Sequence, residues 1–143
     1  MTEAHPDRLT TPLLILRITI GLFLLQWGIE KLVIPETTAV IFSHFYKIDG
    51  VGENAAMVMG ILQSLLALAI LFGFQKHISY LLGFLLHAGS TISTIGNLID
   101  PYAPGNHLFM TAVPVLAGMW LLYRMRDADV KFSIDAMRQA PAD

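Results

Sequence analysis

LLILRITIGLFLLQWGIEKLVIP, residues 13–35, is the stretch that decides how the rest of this chain can be arranged. About 20 mostly apolar residues are enough for an α-helix to cross the hydrocarbon core of a bilayer. The stretch nevertheless contains four strongly polar side chains, Arg17, Gln26, Glu30 and Lys31. A charge at the centre of a span costs roughly 2.5–3.5 kcal/mol on insertion scales, so such groups usually face a bundle interior or extend to an interface.

The composition is that of a membrane protein. Charged residues make up 14% of the 143 residues, against about 25% in a typical soluble domain, and the mean hydropathy is +0.60. The net charge of −2 gives no indication of nucleic-acid binding. The chain has no cysteine, which excludes disulfides, thiol catalysis and cysteine-ligated metals. We expect the first apolar run to be retained rather than cleaved as a signal peptide, because it contains Arg17 and no A-x-A-like site follows it.

Four apolar segments predict an all-α integral membrane protein, built as an antiparallel four-helix transmembrane bundle. The predicted spans cover about residues 13–34, 54–74, 78–98 and 107–124, within a single membrane domain, and residues 125–143 form a polar tail. The connector at 36–53 is predicted to include a short helix on the membrane surface.

The distribution of lysine and arginine predicts the orientation. These residues concentrate in the N-terminal segment, the 75–77 turn and the tail, whereas the 99–106 loop has none. The positive-inside rule then places both termini in the cytoplasm. We therefore expect a multi-pass protein of the bacterial inner membrane, with the 36–53 connector and the 99–106 loop on the outer side.

With this orientation, polar residues from different spans fall at a similar depth, in the middle and outer half of the membrane. They are Glu30, Gln63, His87, Ser90, Thr91, Thr94, Asn97 and His107. We interpret them as the lining of a polar pocket, because ligand sites are often built between the helices of a bundle.

His87 is the strongest candidate for ligand chemistry in this set. A histidine within a membrane can bind a quinone oxygen, relay a proton or bind a metal. The alternative is a hydrogen bond to a neighbouring helix, for example to Gln63 or Ser64. A similar alternative applies to the hydroxyl groups near His87, since each can donate a hydrogen bond to the backbone of its own helix instead of a ligand. We predict no metal site and no catalytic residue, and haem is not expected without a second histidine at matching depth.

The first helix has two polar faces, and they cannot both face one pocket. Arg17, Gly21, Gly28 and Lys31 share one face, and Gln26 lies nearly opposite with Thr19 and Glu30. One arrangement turns Gln26 and Glu30 inward, with the two cations extending to the membrane surfaces. The other packs Arg17 and Lys31 inside with the two glycines and leaves Gln26 and Glu30 facing lipid or a partner subunit. We favour the second for Arg17 and the glycines, because close helix packing needs small residues, and leave Glu30 open.

The pattern Arg17-x3-Gly21-x6-Gly28-x2-Lys31, followed by Pro35, resembles the first helix of the DoxX family of small four-helix membrane proteins. The resemblance implies that Arg17, Gly21, Gly28 and Lys31 are the positions that match the sequence motif of the family. The family is named for a small subunit of a thiosulfate:quinone oxidoreductase. The resemblance thus implies a setting in redox metabolism and a redox or metal-handling partner protein.

Two functions are compatible with these features. The first is a subunit associated with redox metabolism whose pocket binds a quinone-like molecule through His87, Gln63 and Thr91. The second is a non-catalytic membrane anchor or assembly subunit, whose exposed first-helix face docks a partner. The chain contacts the lipid bilayer in both cases, and either function is compatible with a homo-oligomer. We expect no catalysis by this chain alone, since it contains no recognisable catalytic or cofactor motif.

Overall fold

The computed structural model describes residues 7–139, and all the regular secondary structure in that range is helical. The α-helices in chain order are α1 (Asp7–Val33), α2 (Pro35–Ile41), α3 (Glu53–Leu71), α4 (Lys76–Ser93), α5 (Ile95–Ile99), α6 (Ala112–Arg124) and α7 (Ile134–Gln139). A π-helical turn, Phe42–Tyr46, follows α2, and a 3₁₀ turn, His107–Thr111, leads into α6. The predicted all-α class is confirmed.

Two helices in the described range are long and apolar enough to cross a membrane, namely Arg8–Val33 within α1 and the whole of α3. Helix α4 has sufficient length but carries histidines, a lysine and several hydroxyls, and α6 has only 13 residues. The structure therefore supports membrane spanning, by length and composition, for the first two predicted spans. The other two spans stay predictions.

The four longest helices pack side by side. Helix α1 lies along α3 and also contacts α6, while α4 lies along α6 and also contacts α3. Each of the four therefore has two of the others as neighbours. The buried apolar side chains between them are Leu13, Ile20, Leu24, Ala67, Ile70, Tyr80, Met119 and Leu122.

Glycines bring α1 and α3 into close contact. A Cβ atom added to Gly28 would lie 2.5 Å from Oγ of Ser64, and one added to Gly21 would lie 2.7 Å from Cγ of Leu71. On the facing helix, a Cβ atom on Gly60 would lie 2.9 Å from the carbonyl oxygen of Gly28. Small residues at helix contacts are the usual way for backbones to approach each other within a membrane. The structure thus places Arg17 and both glycines on the inner face of α1, as we favoured.

Residues 125–139 do not extend away from the helices. The backbone N–H groups of Ile134 and Asp135 donate to the carbonyl oxygens of Phe72 and Gly73, at 2.9 and 3.1 Å. The Asp135 carboxylate accepts hydrogen bonds from the N–H groups of Gln75 and Lys76, at 2.9 and 2.8 Å, at the N-terminus of α4. The polar tail is therefore docked against the turn between α3 and α4.

We expect Gly28→Leu to destabilise the protein, because the new side chain must push α1 away from α3. Overpacking of this kind typically costs about 1–3 kcal/mol. The free energy of unfolding, measured by denaturant titration in detergent micelles with circular dichroism, tests this. Gly89→Leu on α4 is the matched control, since Gly89 is exposed and a Cβ atom there meets nothing within 4 Å. Equal tolerance of the two substitutions would contradict the close contact.

Candidate functional site

Two of the side chains predicted to line a pocket connect neighbouring helices. Nε2 of Gln63, on α3, donates to the carbonyl oxygen of Leu24 on α1 at 3.0 Å. Nε2 of His87, on α4, lies 3.1 Å from the carbonyl oxygen of Ala112 on α6. Because a carbonyl oxygen can only accept, Nε2 of His87 carries the proton in this contact. The imidazole packs edge-on against the ring of Phe23, with centroids 5.3 Å apart.

The buried hydroxyls beside His87 bond within their own helix. Thr91 donates to the carbonyl oxygen of His87 at 2.8 Å. The hydroxyl of Thr94 lies 3.2 and 3.1 Å from the carbonyl oxygens of Ser90 and Thr91. Such back-bonding satisfies a hydroxyl in an apolar setting without any ligand.

Asn97, His107 and Glu30 lie nearer the end of the bundle at which α1 and α4 end and α6 begins. Nδ2 of Asn97 donates to Oδ1 of Asn106 at 2.6 Å, which ties α5 to the following loop. His107 is exposed and Glu30 is half-buried, and within residues 7–139 no hydrogen bond joins either of them to the other predicted pocket residues. The structure thus brings His87 and Thr91, on the buried face of α4, close to Thr94, the buried residue that directly follows the helix. Their role in binding a ligand stays a prediction.

Two cavities in the described part of the chain lie away from this set. One, beside Tyr80 and Met119 in the apolar core, has no room for a water molecule. The other is a cleft of about 230 Å³ between the start of α4 and the tail, bordered by Lys76, Arg126 and Asp135. Within residues 7–139, no group of three or more histidine, aspartate or glutamate side chains is placed to hold a metal ion.

A polar cluster that we did not predict lies where the tail meets α1 and α4. We call it the Arg17 cluster: Arg17, Lys76, Tyr80, Asp129 and Ser133. Nη1 of Arg17 donates to Oδ1 of Asp129 at 2.8 Å, and the two side chains are 1% and 0% exposed. Tyr80 donates to the second carboxylate oxygen. The arginine in the apolar run is therefore paired inside the protein with an aspartate of the tail.

Backbone carbonyl groups of the tail complete the Arg17 cluster. Nη2 of Arg17 donates to the carbonyl oxygens of Lys131 and Phe132, both at 2.9 Å. Nζ of Lys76 donates to the carbonyl oxygens of Arg126 and Asp129, also at 2.9 Å. Burial lowers the pKa of Lys76, and the nearby Asp129 carboxylate opposes this shift. These contacts join residues 126–132 to α1 and α4.

Gly73 makes room for the Arg17 cluster at the turn between α3 and α4. Its φ angle is +61°, a left-handed conformation that residues with a Cβ atom rarely adopt. A Cβ atom there would also lie 2.8 Å from Oγ of Ser133 and 3.1 Å from Nη1 of Arg17. The carbonyl oxygen of Gly73 accepts a hydrogen bond from the Ser133 hydroxyl at 3.1 Å. The turn and the tail therefore depend on each other.

We expect Asp129→Asn to destabilise the protein by about 3–5 kcal/mol, because it leaves the Arg17 guanidinium buried without its counter-charge. Replacing both partners, as Arg17→Met with Asp129→Leu, should recover part of that loss, since the guanidinium is removed together with its counter-charge, while Tyr80 and Lys76 still lose the carboxylate. The measurement is the free energy of unfolding in detergent. The matched control is Asp127→Asn, an exposed aspartate two residues earlier. A double variant no more stable than Asp129→Asn would contradict this account.

The comparison with known proteins identifies the family of the chain. The family model described as DoxX matches residues 12–95, which is more than half of the sequence. The match includes Arg17, Gly21, Gly28 and Lys31, and it ends before α6 and the tail that carries Asp129. No curated protein and no solved structure matches the chain significantly. The chain therefore belongs to the DoxX family, and it is a small membrane protein.

Proposed function

We propose that this protein is a non-catalytic assembly subunit that crosses the membrane four times. The observation that carries the proposal is the use of its intramembrane polar groups. His87 and Gln63 each bond to a backbone carbonyl group of a neighbouring helix, which is how polar side chains hold helices together in lipid. A protein whose buried polar groups already bond to its own helices is suited to holding a fixed shape for a partner.

The lengths and faces of α4 and α6 support four spans. The 3₁₀ turn of five residues and the 13 residues of α6 follow each other directly, and together they extend for about 30 Å, the thickness of a bilayer core. The polar residues His87 and Thr91 of α4 are buried, as is Thr94 directly after it. The outward residues of α4 are hydrocarbon, including Ile78, Leu82, Leu85 and Ile92. The low mean hydropathy of α4 is thus compatible with an apolar surface facing lipid.

The basic residues near the end of α6 support a cytoplasmic location for both termini. The guanidinium of Arg124 lies 5.8 Å from the ring centre of Trp120, and that of Arg126 lies 4.9 Å from the ring of Tyr123. Arginine over aromatic rings at a helix end is suited to the headgroup region of a membrane. In a bacterium, this protein would then lie in the inner membrane with the docked tail inside.

A second candidate function is a redox-associated subunit that binds a quinone-like molecule at His87. It is favoured by the environment of the imidazole, whose Nδ1 has no hydrogen-bond partner within residues 7–139. With the proton on Nε2, Nδ1 is an acceptor, so the hydroxyl group of a reduced quinone could donate a hydrogen bond to it, and the adjacent Phe23 ring is a suitable surface for an apolar ring. In the assembly function the same histidine only connects α4 to α6.

His87→Ala separates these two functions. For the assembly subunit we expect a loss of about 1 kcal/mol in unfolding free energy, because one interhelical hydrogen bond is removed, and no change in quinone retention. The measurements are unfolding in detergent and the amount of quinone that stays bound after reconstitution with a short-chain quinone in its reduced form. His107→Ala is the control, since His107 is exposed. Saturable quinone binding that His87→Ala abolishes would favour the second function instead.

The orientation can be tested with single cysteines, because the chain has none of its own. We expect Tyr102→Cys, 89% exposed in the loop before α6, to react with a membrane-impermeant maleimide added to intact cells. We expect His77→Cys, exposed at the start of α4, to react only after the membrane is opened. Labelling of both positions from the same side would contradict four spans with this orientation.

A further inference from the structure

The outward face of α1 has the spacing of a coiled-coil seam. Six exposed positions follow one another at intervals of 4, 3, 4, 3 and 4 residues. We call this set the α1 seam: Ile15, Thr19, Leu22, Gln26, Ile29 and Val33. In heptad terms Thr19, Gln26 and Val33 take a positions, and the other three members of the seam take d positions. The seam extends over about 27 Å at 1.5 Å per residue, close to the thickness of a bilayer core.

Gln26 lies in the middle of the α1 seam without a partner. Its side chain is exposed and makes no hydrogen bond within residues 7–139. The other polar member of the seam differs, since the hydroxyl of Thr19 lies 3.0 Å from the carbonyl oxygens of both Ile15 and Leu16. A primary amide has two donor hydrogens and an acceptor oxygen, all of which need partners when surrounded by hydrocarbon.

The outward faces of α3 and α4 differ from that of α1. Their exposed central residues are aliphatic: Val58, Ile61, Leu65 and Leu68 on α3, and Leu82, Leu85 and Ile92 on α4. These faces satisfy the requirements of lipid contact. Gln63, the glutamine on α3, is turned inward and bonded to Leu24. The unpaired amide of α1 therefore marks its outward face as a surface for another polypeptide.

We propose that a second copy of this chain occupies the α1 seam, with the two α1 helices parallel and related by a two-fold axis along the membrane normal. A second copy inserted in the same orientation brings its own Gln26 to the same depth. Two amides facing across a two-fold axis can each donate to and accept from the other, so the surface is complementary to itself. This inference rests on the assembly function and names its partner.

The a position of Gln26 specifies the register of the pair. A single polar residue at an a position in an apolar seam aligns two helices, because any shift separates the amides. Glu30 takes an e position beside the seam, where it faces the g position of the second helix, occupied by Leu25, rather than another Glu30. The two acidic groups therefore do not oppose the pairing directly.

Single cysteines test the surface in reconstituted lipid vesicles, using the full chain and copper phenanthroline as oxidant. We expect Leu22→Cys and Ile29→Cys to form disulfide-linked dimers, because facing d positions come within disulfide range. Ile61→Cys and Leu65→Cys, on the outward face of α3, are the matched controls and should form no disulfide-linked dimers. Equal cross-linking of both faces, or of neither, would overturn the proposal.

Substitution of Gln26 tests the contribution of the amide. We expect Gln26→Leu to weaken dimer formation by at least about threefold, the effect of one average interhelical hydrogen bond, and Gln26→Asn to weaken it less. Energy transfer between labelled copies, followed as the lipid-to-protein ratio rises, measures the dimer. Thr19→Val is the matched control, since that hydroxyl is already bonded within α1. An unchanged dimer with Gln26→Leu would overturn the amide pairing.

The outcomes also separate this inference from the assembly function. A monomeric chain that retains a different membrane protein, and loses it on Gln26→Leu, would overturn the second copy while leaving the assembly function in place. Quinone binding lost in His87→Ala, with the dimer intact, would overturn the assembly function alone. Helix content by circular dichroism in each variant shows that the folded protein is being compared.

Discussion

The ion pair between Arg17 and Asp129 is the interaction on which the rest of the arrangement depends. A guanidinium within an apolar helix is costly to bury unless a carboxylate and further acceptors surround it. The tail supplies both, through the Asp129 carboxylate and the carbonyl groups of Lys131 and Phe132. Because Tyr80 and Lys76 also bond to Asp129, the same pair fixes α4 relative to α1. One buried charge thus determines where three parts of the chain meet.

Helix α1 has different chemistry on its two sides. Its inner face combines Arg17 with Gly21 and Gly28, so that it packs tightly against α3 and the tail. Its outer face combines aliphatic residues with the unpaired amide of Gln26. An inner face that binds the chain's own helices and an outer face suited to another polypeptide are what an assembly subunit requires. The proposed pairing with a second copy therefore depends on the two faces of one helix.

Much of the fold could be predicted, but less of the candidate site. The hydropathy pattern was sufficient to predict the all-α class. The spacing of the glycines was sufficient to predict which face of α1 points inward, because only small residues permit close helix contact. The expected depth of Glu30 and His107 in the membrane indicated that they lie near His87. Depth does not determine how each helix is rotated about its own axis. The partner of Arg17 could not be chosen either, since Asp127, Asp129 and Asp135 all lie in the tail.

By itself, the sequence determined the helical class, the approximate lengths of the helices and the two polar faces of α1, because hydropathy and helical periodicity are local properties. Only the tertiary structure decided that Asp129 pairs with Arg17, that the tail docks against the α3–α4 turn and that His87 bonds to α6. The physical reason is that these contacts join residues far apart in the sequence. Arg17 and Asp129 are 112 residues apart, and a hydrogen bond over that separation depends on how whole helices pack together.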